Sequence, residues 1–335
     1  WAAWVPGAVR LGDNAPHASA RAPASGARSR VERTAPRASV APRLTPRVVA
    51  GIVVAFALWV VVIIGSDPTV DVSEPFSGWV TAQDARSYWG FDYADIYAGR
   101  DDWGTIGAYP YSPVFAQLLW PLNQLPWPAF VAAWTAILIG AVWYLTGPRL
   151  FLLGLAIGAM EIAGGNIHLL LAAAIVAGFR RPAAWAFVLL TKITPGIALI
   201  WFALRREWRA LAIALVATLA VVAVSMALNP EAWRDWFALL QANLGKSGTW
   251  AAVPIPLVIR APIGIALVVW GAPRNQRWTV PICAMLCLPA LWYGSLAMVL
   301  AVIPLTTPDE RRRTRTRVAT VLRLRFGRPV TPAEG

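Results

Sequence analysis

Lys192 stands inside the apolar run LLTKITPGIALIW (189–201) and is one of two lysines in a chain whose other basic residues are arginine. An ionisable side chain at membrane depth is costly, so it marks a functional position by default. Pro195 and Gly196 follow it, a pair that can break a helix and turn backbone groups toward a cavity. The chemistry on offer is neutralisation of a lipid-linked phosphate; the competing reading is a lysine that snorkels or caps backbone carbonyls. Glu161, Gly164, Gly165, Asn166 and His168 form a second polar cluster in apolar surroundings. Two glycines followed by Asn predict a tight turn between two short helices, although polar groups also serve to pack membrane helices together. No second His lies close enough in sequence to suggest metal spacing, and no metal is expected. Asp84 follows the first long apolar run, with Arg86, Tyr88 and Trp89 beside it. A carboxylate at the mouth of an outward cavity can take the proton of an attacking hydroxyl, and neighbouring aromatic rings can stack on sugar faces. Asp67, Asp71, Glu74, Asp92, Asp95, Asp101 and Asp102 share its segment, so composition alone does not single out Asp84.

Positioning these groups falls to a membrane protein. The 335 residues are 58% hydrophobic and 14% charged, with a mean hydropathy of +0.55, against roughly 25% charged in soluble globular chains. An ordinary cytosolic enzyme is excluded. The net charge of +13 lies at the two ends and in short loops between apolar runs, which reads as a topology signal rather than a nucleic-acid surface. Cys283 and Cys287 share one apolar run, so neither a disulfide framework nor a thiolate metal site is expected; one helical turn apart, they read as small buried side chains.

Val48 to Gly65 is long enough to cross a bilayer as a helix. Arg10, Arg21, Arg28, Arg30, Arg33, Arg37, Arg43 and Arg47 precede it, which predicts a disordered, basic, cytoplasmic segment over 1–47. No small-residue cleavage site follows the run, so an uncleaved helix is expected; the sequence opens on Trp1 rather than Met, and further residues before it are expected. Nine later spans are predicted: Ser112–Leu125, Trp127–Thr146, Leu150–Ala163, Asn166–Phe179, Ala183–Leu204, Ala210–Leu228, Val253–Trp270, Trp278–Leu288 and Ala290–Leu305. The expectation is thus an all-α, polytopic bundle over 48–305 with about ten transmembrane or re-entrant helices. Both termini are placed in the cytoplasm, the second as a basic tail over 306–335; Arg180 and Arg181, on the outer side, fit this topology least well. The shortest spans cannot cross a core of roughly 30 Å as straight helices, so they must be broken, re-entrant or shielded by protein. Residues 66–111 make an acidic, aromatic extracytoplasmic loop. Residues 230–250 space Trp233, Trp236, Phe237 and Leu240 at three and four, which predicts an amphipathic helix on the outer membrane surface.

Four stretches resemble glycosyltransferase family 87, whose members are polytopic enzymes of the GT-C type that transfer a sugar from a polyprenyl phosphate carrier. They are QDARSYWGFDYADIYAG (83–99), AYPYSPVFAQLLWPLNQLPW (108–127), the long run from GGNIHLLL to REWR (164–209), and CLPALWYGSL (287–296). Members often carry a His shortly after the Trp of the last motif, where Tyr293 and Gly294 stand here. The resemblance implies inverting transfer of mannose or arabinose to a lipid or glycan acceptor at the outer face of a bacterial plasma membrane, with no cofactor beyond the lipid donor. Carried over by position, it makes Asp84 the general base and sets Lys192 against the carrier phosphate. Arg86 then orients Asp84 or shares that phosphate, and Tyr88, Tyr109, Asn166, His168 and Trp292 contact substrate. Expected partners are the lipid-linked donor, the acceptor and membrane lipids, and no nucleic acid. A transporter or flippase for a lipid-linked sugar is the rival class, because broken helices and intramembrane charge also mark transport pathways; a non-catalytic membrane subunit is the third. The chain shows no internal repeat of the kind many transporters carry.

Overall fold

The structure, a computed structural model, describes residues 45–67, 81–99, 108–243 and 255–306. Most of the two basic terminal segments, Asp71, Glu74, Asp101 and Asp102 of the acidic loop, and residues 244–250 of the amphipathic stretch lie outside these. The described residues are helical, with no strand among them.

Helix α1 (Pro46–Ile64) starts on a proline, whose missing N–H costs nothing in the first helical turn. It is apolar all round: Val53, Phe56, Val61 and Ile64 stay exposed, as lipid-facing side chains do, while Val48, Gly51, Ala55 and Val62 are buried. Gly51 permits the close approach to the next long element, since a Cβ there would sit 2.9 Å from the Phe151 ring. Trp59 Nε1 donates to the Ala132 carbonyl at 2.8 Å. The chain then passes through 81–99 to α2 (Pro113–Asn123) and α3 (Trp127–Gly164).

Helix α3 is one run of 38 residues that reverses direction at Gly147, where φ is 62° and ψ is 176°. Only glycine adopts that backbone readily, and Pro148 next to it supplies no donor to bridge the break. Gly154 and Gly158 of the second arm face Val142 and Thr146 of the first, and the Trp143 and Phe151 rings meet edge to face at 4.9 Å. The expected separation into 127–146 and 150–163 is visible as this fold-back. The second arm ends at Gly164, and Gly165, left-handed at φ 75°, turns the chain into α4 (His168–Gly178).

The stretch expected as one span over 183–204 is in pieces: a 3-10 turn at Pro182–Ala184, α5 (Trp185–Thr191), a second 3-10 turn at Thr194–Leu199 and α6 (Ile200–Leu204). Lys192 lies at the break in extended backbone, φ −138° and ψ 109°. Helix α7 (Trp208–Leu228) follows, largely exposed and apolar, then α8 (Pro230–Ala242), whose cap is the Asn229 side chain accepting from the Ala232 N–H at 3.0 Å. The apolar stripe of α8 packs on protein: Trp233 Nε1 donates to Ser225 Oγ at 2.9 Å and Trp236 Nε1 to the Pro110 carbonyl at 3.2 Å, with Phe237 exposed.

Helices α9 (Leu257–Gly271) and α10 (Thr279–Leu286) pack closely, with Gly264 against the Cys283 backbone. Arg260, buried, donates to the carbonyls of Ile255, Leu286 and Pro289 at 2.7, 2.8 and 3.1 Å. It thereby ties α10 and the segment after it to α9. Cys283 and Cys287 are buried free thiols with sulfurs 4.0 Å apart. A 3-10 stretch at Gly294–Ala301 and α11 (Val302–Leu305) complete the described chain. Among the described residues four helices are long and apolar enough to cross a membrane: α1, α3, α7 and Leu257–Arg274. This is fewer than the ten crossing or re-entrant segments expected. The difference lies where Pro, Gly and Lys192 interrupt the apolar runs into shorter helices, and where α3 carries two expected spans in one element.

Candidate functional site

Asp84 opens a short 3-10 turn, Asp84–Tyr88, that is pinned at both sides. Thr81 N donates to the Gly65 carbonyl at 3.0 Å and its Oγ1 to the Val62 carbonyl at 2.6 Å, which ties the segment to the end of α1. Ala82 N donates to the Ala163 carbonyl at 2.6 Å, which ties it to the end of α3. At that junction a Cβ on Gly164 would stand 3.4 Å from Asp84 Oδ2, and one on Gly165 would stand 2.9 Å from the Ala85 Cβ. The two glycines are therefore what lets the turn carrying Asp84 lie against the helix end. Trp134 Nε1 holds the same corner by donating to the Gly165 carbonyl at 2.7 Å. Gly165→Ala is expected to destabilise the protein by about 2 kcal/mol, from left-handed strain together with the crowded Ala85 contact. A thermal unfolding midpoint in detergent that falls by several degrees checks it, and an unchanged midpoint contradicts it.

Asn166, just past the turn, accepts from the Ile167 N–H at 2.7 Å and from the Tyr88 hydroxyl at 3.3 Å through Oδ1. Its amide nitrogen is thus the end left to donate to the Asp84 carboxylate, with which Asn166 is hydrogen-bonded. The Tyr88 hydroxyl also pairs with that of Tyr111 at 3.0 Å. Protein surrounds Asp84 without covering it: the side chain is accessible yet crowded on its other sides. That crowding is the main reason its carboxyl is pushed up to about 6; the Asn166 hydrogen bond opposes the rise, the Glu161 charge adds to it and the Lys192 charge opposes it.

Behind Asp84 lies a buried polar chain. Glu161, on the last turns of α3, reaches across the glycine turn to accept from the His168 backbone N–H at 2.5 Å, and both its oxygens lie 3.1 Å from His168 Nδ1. His168 Nε2 is 2.9 Å from Lys192 Nζ and 3.4 Å from Ser295 Oγ. The ammonium of Lys192 also stands 5.8 Å from the centre of the Tyr111 ring. Elements distant in sequence, the 81–88 segment, the α3–α4 turn, the α5 break and the 294–301 stretch, thus meet at one place.

Of the residues expected at a site, the structure brings Asp84, Tyr88, Asn166, His168 and Lys192 together. Arg86 is on the same turn as Asp84, and its guanidinium donates to the Asp67 backbone carbonyl. Trp292 is exposed, and its backbone N–H donates to Ser295 Oγ at 3.1 Å. Tyr109 stands apart, fully buried among Phe91, Tyr97 and Tyr111 with its hydroxyl on the Ser112 carbonyl at 3.2 Å. Its neighbour in the Tyr-Pro-Tyr tripeptide, Tyr111, is the ring that turns toward the polar chain. Glu161, Tyr111 and Ser295 were not among the expected site residues. Glu161 carried a signal, as a carboxylate in an apolar run, whereas Ser295 carried none.

The family model described as Glycosyltransferase family 87 matches residues 109–325. No curated protein matches the chain, and no solved structure does. The matched stretch contains Tyr111, Glu161, Asn166, His168, Lys192 and Ser295, while Asp84, Arg86 and Tyr88 precede it. With more than half of the chain matched, and with apolar helices long enough to span a bilayer, the protein belongs to glycosyltransferase family 87 and is a helical membrane glycosyltransferase.

Proposed function

We propose that this glycosyltransferase takes its sugar, mannose or arabinose, from a polyprenyl phosphate carrier and passes it with inversion to a lipid or glycan hydroxyl. The carrying observation is an accessible carboxylate, Asp84, lodged against the end of α3 within electrostatic reach of Lys192, the one lysine among the described residues. The acceptor oxygen attacks the anomeric carbon from the side opposite the phosphate. Its proton passes to Asp84, the bond from that carbon to the phosphate oxygen breaks, and the phosphate leaves with the electron pair. Negative charge grows on the leaving phosphate as that bond opens, so a fixed cation stabilises the transition state more than the ground state. Lys192 fills that role, Arg86 orients Asp84 or shares the phosphate, and Asn166 and Trp292 line the sugar's approach, while Tyr88, buried with its hydroxyl on Tyr111 and Asn166, supports Asn166 from behind. The step needs no metal. A lipid donor suits a site reached from the bilayer, because its tail stays among lipids while its head enters. We assign the reaction to the outer face of a bacterial plasma membrane, with about ten crossing or re-entrant segments and both termini in the cytoplasm, on the distribution of arginines.

The test is transfer from a synthetic polyprenyl phosphate sugar by purified protein, with the anomeric configuration of the product read by NMR; retention in place of inversion refutes the single-displacement step. A pH profile of kcat/KM adds a signed expectation. A general base works deprotonated, so with its carboxyl at about 6 activity holds above that pH and falls about tenfold per unit below it. A profile flat down to pH 5, as an ordinary carboxylate at 3.8 would give, contradicts the assignment of Asp84.

A further inference from the structure

The polar chain behind Asp84 is more elaborate than a cation alone requires. Glu161 is 2% exposed and His168 fully buried. The 294–301 stretch seals the pair, since a Cβ on Gly294 would fall 2.5 Å from Glu161 Oε2. A buried carboxylate is expensive unless its oxygens are hydrogen-bonded, and replacing such polar groups by packed apolar ones is often neutral or stabilising. Capping the first N–H of α4 would need only a neutral acceptor.

The proton positions follow from the partners. A carboxylate only accepts, so His168 Nδ1 facing Glu161 carries a hydrogen; an ammonium only donates, so His168 Nε2 facing Lys192 is the lone pair. Both constraints select one neutral tautomer. A neutral, polarised imidazole then bridges two opposite charges, the carboxylate on one side and the ammonium on the other. Lys192 sits where α5 breaks, on a stem of four methylenes that would otherwise sample many rotamers. The imidazole engages one of its three N–H groups and leaves two to point away from His168. Ser295, whose Oγ accepts from the Trp292 N–H, stands 3.4 Å from the same Nε2.

We propose that Glu161 and His168 are positioning residues: the Glu161 carboxylate fixes the His168 tautomer and ring, and the His168 Nε2 lone pair in turn holds the Lys192 ammonium aimed at the donor phosphate. This rests on the role given to Lys192 above. Glu161 does not touch substrate; it acts through His168.

The test is a double-mutant cycle on kcat/KM for the lipid-linked donor, in the full-length protein, with Glu161→Gln, Lys192→Met and both together. Glutamine keeps the shape and the acceptor for the His168 N–H, so the cap on α4 survives, and monodispersity in detergent with an unchanged thermal midpoint verifies the fold. Glu161→Gln is expected to lower kcat/KM about 10- to 100-fold, the usual scale of a charge-assisted hydrogen bond. The double variant should be no worse than Lys192→Met alone, because the cation that Glu161 serves is already gone. Losses that multiply, or a Glu161→Gln enzyme as active as the parent, overturn the proposal. Asp84 supplies a second readout. It faces Asn166, Glu161 and Lys192, with the Tyr88 and Tyr111 hydroxyls nearby and Arg86 on its own turn. Removing the Glu161 charge should move the acid limb of the pH profile to lower pH, whereas Lys192→Met should move it higher; a limb that stays in place in both variants counts against the linkage. The cycle does not pass through Asp84. If Asp84→Asn retains full transfer, the general-base reading fails while the cycle still decides whether Glu161 serves Lys192.

Discussion

Asp84→Asn is expected to lower kcat by about 10²- to 10⁴-fold, the range that a positioned general base contributes. Donor affinity should change little. Asparagine keeps the volume and can still pair with Asn166, so the turn pinned to Gly65 and Ala163 stays in place and the donor meets the same surroundings. What it lacks is an atom basic enough to accept the acceptor's proton. Losses confined to KM, with kcat intact, would mean that Asp84 merely binds sugar. Fully retained activity would leave the proton without a destination in the proposed step and would open the transporter reading, for which movement of a lipid-linked sugar between vesicle leaflets is the direct assay.

Lys192→Met carries the second large expected effect, a loss of about 10²- to 10³-fold in kcat, comparable with removing one preorganised group from a site where charge develops. Methionine has the length and the apolar stem without the charge, so packing at the α5 break is preserved better than by alanine. Because charge grows on the phosphate only as its bond to the sugar opens, kcat should suffer more than donor binding. Lys192→Arg should recover part of the loss: the charge is restored, but the planar fork does not reproduce a single N–H directed at His168 Nε2. Equal activity in Lys192→Met and the parent would contradict any phosphate role for this residue.

The sequence carried much of this site because its parts break local rules. A lysine and a carboxylate within apolar runs, and two adjacent glycines followed by Asn, are costly or conformationally special, so they stand out without any knowledge of the fold. The helical class and the fold-back in α3 were legible for similar reasons, from run lengths and from the interruption between 146 and 150, where the structure has its turn at Gly147. Other features depend on which face an element turns inward. Tyr109 and Tyr111 flank one proline, and nothing local says that the first ring enters the aromatic packing while the second meets Tyr88 and Lys192. Ser295 lies in an apolar run where a serine ordinarily packs, and it gains meaning only when the 294–301 stretch lies against Glu161. Glu161 and His168 are seven residues apart, a spacing that shares a helix face but leaves about 10 Å between the two along a continuous helix; the left-handed Gly165 ends α3 and brings them face to face. Residues 183–204 read as one continuous hydrophobic span, but the extended backbone at Lys192 divides them, since hydropathy records apolar content and not the path of the backbone. Likewise, the spacing of the α8 tryptophans identifies an apolar face without saying how much of it protein covers, and Trp233 and Trp236 turn out to bond to Ser225 and Pro110.

The most direct measurement of the central claim presents the purified wild-type protein, in lipid nanodiscs with a panel of lipid and glycan acceptors, with four donors in parallel: polyprenyl phosphate mannose, polyprenyl phosphate arabinose, and nucleotide-linked forms of a hexose and a pentose. Glycosylated product is expected from one of the two lipid-linked donors, with free polyprenyl phosphate released in equal amount and nothing from the nucleotide donors. Product formed from a nucleotide-linked sugar, with both lipid-linked donors left intact, would contradict that claim.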